Sequence, residues 1–218
     1  MHKHDLLLQE WAKRHLEKGY HGFKKDGIID PNRWENTTPK VLFVLKESYD
    51  GPKDLRKEIL ETGCAKWKIW WTVAYWCYAC HYVAQSGTLP QFPAANPAAC
   101  NEASDLFLSS AIINIKKSNG QHPSSNDDLE HYVNEDADLI RQQIEIINPN
   151  ILISGNVWWA QKLWPDARQV YDLVWRTGDR LLVNFWHPAH RLDNELFYYT
   201  LGCVLMNATG RSRVVAAA

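Results

Sequence analysis

Four short, almost unbroken apolar runs punctuate the chain: Lys40–Lys46 (KVLFVLK), Ser110–Ile115 (SAIINI), Asn150–Gly155 (NILISG) and Leu181–Trp186 (LLVNFW). Apolar runs of this length without alternation predict strands covered on both faces, as in a parallel sheet. Between them the period becomes helical. Asp5–Tyr20 sets Leu7, Leu8, Trp11, His15 and Leu16 along one face. Leu129–Ile147 does the same with Leu139, Ile140, Gln143, Ile144 and Ile147, and Asn148-Pro149 ends it. A polar loop with Gly22, Gly27, Pro31 and Asn32 leads into the first run, and the Ala/Pro stretch 90–99 reads as a surface excursion. Strands alternating with helices predict an α/β fold, a three-layer α/β/α sandwich around a central, mainly parallel four-stranded sheet.

Composition narrows this picture. A chain of 218 residues fits one domain, expected to span residues 1–213 with its chemistry in 40–192. The last five residues, 214–218, read as an added tail. A net charge of −1 does not advertise a nucleic-acid partner, so any DNA contact must come from local clusters of Lys and Arg. No apolar run reaches the ~18 residues of a membrane span. Met1–Asp5 lacks a signal peptide's apolar core, which predicts a cytoplasmic location. Five cysteines at irregular spacing fit reduced thiols there. Eleven Trp imply an aromatic-rich core or a pocket lined with flat rings.

In open α/β sheets ligands bind beyond the carboxyl ends of the strands, so the residues following each run carry the candidate chemistry. After the first come Glu47, Ser48, Tyr49, Asp50 and Gly51. In and after the second come Asn114, Lys116 and Lys117. Ser154, Gly155 and Asn156 follow the third, and His187, Pro188, Ala189, His190 and Arg191 the fourth. A carboxylate that holds water and faces a cationic sugar, an amide that reads a base edge and a histidine donor for a departing base anion are what N-glycosidic cleavage needs. Each has a plainer reading. Glu47 fits a helix cap, Asp50 a turn residue, Asn114 a buried structural amide and His187 a turn histidine. His187 and His190 have metal-ligand spacing but no third ligand nearby in sequence. Cys77 and Cys80 form a C-x-x-C inside an aromatic helical pattern and read as core thiols. Trp67, Trp70 and Trp71 read as core, with one ring, assigned to Trp67, free to stack on a base.

Taken in order, these motifs resemble the uracil-DNA glycosylase superfamily, most closely the branch whose first motif is Gly-Glu-Ala-Pro-Gly. Residues 47–51 correspond to that motif, Asn114 to the base-reading Asn, Lys117 to the Lys that follows it, and His187-Pro188 to the last motif. The correspondence spans roughly residues 40–192. Lys46 stands where the branch has its first Gly, Tyr49-Asp50 replaces Ala-Pro, and Ala189 occupies a position where Ser is common. The branch's iron–sulfur cluster needs two cysteines upstream of the first motif. Here the first is Cys64, which argues against that cluster.

The resemblance implies a uracil-DNA glycosylase-like fold and a monofunctional DNA glycosylase. Such an enzyme excises a flipped uracil-like or enlarged, modified pyrimidine and leaves an abasic site. Glu47 or Asp50 would position water and His187 would stabilise the leaving base. Asn114, Ser48, Tyr49 and Trp67 would bind the base, and Lys117, Ser154, Gly155 and Arg191 would grip DNA phosphates. No cofactor or metal is called for, and a monomer with DNA as its partner is expected. The alternative is a catalytically silent sensor of a modified base or nucleotide on the same fold.

Overall fold

A computed structural model describes residues 3–48, 54–93, 100–121, 124–155, 163–190 and 193–210. Each apolar run forms a strand: β2 Val41–Glu47, β3 Ala111–Lys116, β4 Ile151–Gly155 and β7 Arg180–Phe185. They lie side by side in the order β3-β2-β4-β7, all parallel, with Leu45 opposite Asn114, Val44 opposite Ser154 and Ser154 opposite Asn184. The sheet is wider than four strands. The short strand β1 (Gly27–Ile28) adds antiparallel to β3. A hairpin of β5 (Arg168–Tyr171) and β6 (Val174–Thr177) adds antiparallel to β7, making a mixed seven-stranded sheet. β5 is exposed along its whole length, so it carries no apolar run for sequence reading to find.

Alternation within the parallel strands sorts side chains onto two faces. Phe43, Leu45, Ile112, Ile151, Ile153, Val183 and Phe185 pack into one cluster. The helices over that face are α3 (Leu55–Thr62), α4 (Lys68–Ser86), α5 (Asn101–Leu108) and α7 (Asn194–Ala208). Leu42, Val44, Ile113, Ile115, Leu152 and Leu182 face the other way, against α1 (Lys3–Glu17) and α6 (Asn126–Ile147), with the short α2 (Pro31–Glu35) contributing Trp34. Helices therefore cover both faces, as the runs required. Most tryptophans serve these cores. Trp76 is fully buried with its ring edge-on to Phe185 (5.1 Å) and Phe197 (6.0 Å).

Local chemistry sets the helix ends. Ser125 caps α6 by accepting the Asp128 N–H, and Asn148 closes it in the left-handed conformation ahead of Pro149. Asp193 caps α7 by accepting the Glu195 and Leu196 N–H groups. The first helix ends at Glu17, three residues before the end the pattern implied, and Leu16 is 64 % exposed rather than part of its inner face. Among the described residues no helix is long and apolar enough to cross a membrane.

Candidate functional site

The chain runs from β2 outward to β3 on one side, then crosses to β4 and β7 on the other. A crevice opens at the carboxyl ends where such a sheet reverses direction, and a cavity lies there. It measures about 680 Å³, within the range of ligand pockets. Its wall combines strand ends (Leu45, Lys46, Glu47, Ser48, Asn114, His187, Ala189) with the start of α4 and the segment before it (Lys66, Trp67, Ile69, Trp70). Residues 45, 47, 114 and 187 share the parity of the side chains that face α4. The same alternation that builds that core thus aims them at one cavity.

Among the described residues, two buried polar atoms in this wall have no partner: Glu47 Oε1 and Asn114 Nδ2. The other Glu47 oxygen, Oε2, accepts the Gln121 N–H at 2.9 Å and lies 3.2 Å from the Lys116 ammonium, and the Glu47 side chain is fully buried. An unsatisfied buried donor or acceptor carries a desolvation cost of about 1–3 kcal/mol. One acceptor and one donor of this kind on adjacent strands form a recognition pair for a ligand edge or a ligand-bound water.

His187 supplies a second donor. Its Nδ1 accepts the Ala189 N–H at 3.2 Å, which leaves the proton of the neutral ring on Nε2. Burial, with the Lys46 charge adding to it, lowers its pKa to about 4, so the imidazole is neutral at pH 7. Gly155 makes room for it. A Cβ there would stand 3.1 Å from Leu45, 3.2 Å from Pro188 and 3.4 Å from His187.

Of the residues expected from sequence, Glu47, Ser48, Asn114, Trp67 and His187 all line this cavity, and Trp67 is 52 % exposed at its rim. Tyr49, Asp50 and Arg191 fall outside the described residues. The assignment of Lys117 to a DNA phosphate is corrected. Its ammonium is wholly buried 2.7 Å from both oxygens of Asp26 and stacks over Trp11, on the far side of β3 from the cavity. Its neighbour Lys116 reaches Glu47 in the cavity wall and bridges it to Asp128. Strand parity carried that signal, because 116 shares a face with 114 and 117 does not. Ser154 and Gly155 are both buried in β4.

Several participants had no local signature. Asp26 lies in a loop, yet its buried carboxylate accepts the Asn114 backbone N–H (2.8 Å) and the Gln143 Nε2–H (2.9 Å) besides Lys117. Gln143 in turn meets His4 at 3.0 Å. Cys77 and Cys80 are fully buried core thiols with pKa values raised by desolvation. Among the described residues no three His, Cys, Asp or Glu side chains group as a metal site.

No protein-family model matches the chain, and no curated protein matches it.

Proposed function

We propose that this protein is a DNA N-glycosylase of the uracil-DNA glycosylase type, which takes a flipped pyrimidine into the cavity at the carboxyl ends of β2, β3 and β7. The reading rests chiefly on the buried, unpartnered pair Glu47 Oε1 and Asn114 Nδ2 beside a neutral His187. Asn114 donates to the base edge while Trp67 and Trp70 offer flat apolar surface to the ring. The bond from sugar C1′ to the ring nitrogen breaks with its electron pair moving to the base. His187 Nε2–H donates to the base oxygen that gains negative charge, which favours the transition state over the ground state. Glu47 faces the cationic sugar and holds a water that adds to C1′ and passes its proton to the carboxylate. A cavity of about 680 Å³ has room for a pyrimidine that carries a substituent. Location in the cytoplasm and action as a monomer belong to the same proposal.

The test incubates the protein, in EDTA, with oligonucleotides carrying uracil or substituted pyrimidines, followed by alkali. Strand breaks that appear only after alkali are the expected result. Retention of a modified oligonucleotide without alkali-labile sites would make the protein the silent sensor. Absence of both retention and cleavage would end the reading.

A further inference from the structure

The charged groups of the cavity wall are Lys46, Glu47, Glu58 and Lys66. Three of them are matched: Lys66 pairs with Glu58, and Glu47 with Lys116, which also holds Asp128. Lys46 is half-buried, and among the described residues no acidic group lies within ion-pair distance of it. Its charge is felt across the pocket at His187. Beside it, among the described residues, the wall carries one unpartnered donor, Asn114 Nδ2, and one unpartnered acceptor, Glu47 Oε1. A half-buried ammonium in a partly apolar cleft costs desolvation unless a counter-charge joins it, and a charge-assisted bond to an anionic oxygen is about twice as strong as a neutral one.

From this we infer that Lys46 is a specificity residue, receiving an anionic oxygen group carried by the ligand whose ring occupies the cavity beside Asn114 and His187. The inference rests on the reading of the cavity as a base pocket. The group is either a carboxylate on the ring or a phosphate on the attached sugar, and both present the same oxygens to an ammonium.

Four probes distinguish these sources by calorimetry on the whole protein: uracil, 5-carboxyuracil, 2′-deoxyuridine and 2′-deoxyuridine 5′-monophosphate. The expected result is that one anionic probe binds about tenfold or more tighter than its neutral parent, the scale of a partly shielded charge-assisted bond. Lys46→Gln should abolish that preference while leaving the neutral parent's affinity unchanged, and Lys46→Arg should retain it. Preference within the uracil pair places the anion on the ring, and preference within the deoxyuridine pair places it on the sugar. In case Lys46→Gln misfolds, the wild-type protein carries the test, because rising salt should erase the preference and spare the neutral probes. Equal binding of charged and neutral probes, or a preference that survives Lys46→Gln, overturns the role of Lys46 and leaves the base pocket standing. Failure of all four probes to bind overturns both.

Discussion

Lys117 Nζ sits 2.7 Å from each carboxylate oxygen of Asp26, neither side chain reaches solvent, and the same carboxylate accepts the backbone N–H of Asn114. The pair is therefore structural scaffolding directly behind Asn114, which lines the cavity. Removing one partner of a buried pair strands the other charge, typically at about 3–5 kcal/mol. Lys117→Met should therefore lower the unfolding free energy by that order in urea melts. Asp26→Asn combined with Lys117→Met removes both charges and keeps an acceptor for the Asn114 N–H, so it should recover more than half of the loss. Strictly additive losses would show that the two charges do not act as a pair.

Because Lys117 is consumed by that contact, it should contribute nothing to the salt dependence of DNA binding. A phosphate contact adds about 0.9 to the slope of log affinity against log salt for duplex DNA. A conservative Lys117→Arg variant that remains folded should bind DNA with the parent slope. A slope reduced by about one contact would mean that the ammonium leaves Asp26 when DNA arrives.

The protein should lose stability in mild acid through its histidines. His4, His81 and His187 each have a pKa lowered to about 4, chiefly by burial, against about 6.5 when unfolded. The unfolded chain therefore binds more protons between those values, and stability falls as pH drops from about 6.5 towards 4. Above about 6.5 these groups contribute no slope. Each histidine adds at most about 1.4 kcal/mol per pH unit inside the window. Chemical denaturation at pH 7.5, 6 and 5 measures this, and a flat profile across the three would refute the burial of these rings as charged-state barriers.

The four parallel strands were legible because a strand covered on both faces must be apolar throughout. β1, β5 and β6 were not, since all three are short, and β1 and β5 are edges paired only to β3 and to β6. The cavity residues Glu47, Asn114 and His187 could be found from sequence because strand ends in such a sheet converge on one edge. Lys117 was misread because its place after Asn114 was weighed and its strand parity was not. Asp26 was invisible for a different reason. A carboxylate in a loop becomes a buried ion-pair partner only when α1, β3 and α6 close around it.

Gly155 offers a test of cavity shape that leaves every polar group in place. An added methyl meets Leu45, Pro188 and His187 at 3.1–3.4 Å, close enough that one of them must yield. Overpacking of this kind costs about 1–3 kcal/mol. Gly155→Ala should lower stability within that range and, by moving His187, weaken catalysis more than it weakens DNA binding. Unchanged kinetics with the stability loss would show that Leu45 gives way instead.

The catalytic assignment rests on Glu47 and His187, which reach one cavity from strands separated by β4. Losing a donor aimed at developing negative charge typically costs about 10²–10³ in rate, so His187→Ala should slow base release by that order under single-turnover conditions. Glu47→Gln preserves shape and can still accept from the Gln121 N–H, but it removes the charge that faces the sugar cation. The chemical step should fall while DNA affinity persists. Lys116 keeps Asp128 as a partner in that variant, so folding should survive, and a melting curve near the parent's confirms that the loss is chemical. Asp50→Asn is the informative companion, because Asp50 is the next carboxylate along the chain. An active Glu47→Gln beside a dead Asp50→Asn would move the water-positioning role three residues along the chain. Parent rates in Glu47→Gln, Asp50→Asn and His187→Ala alike would leave the cavity as a binding site and remove the glycosylase mechanism altogether.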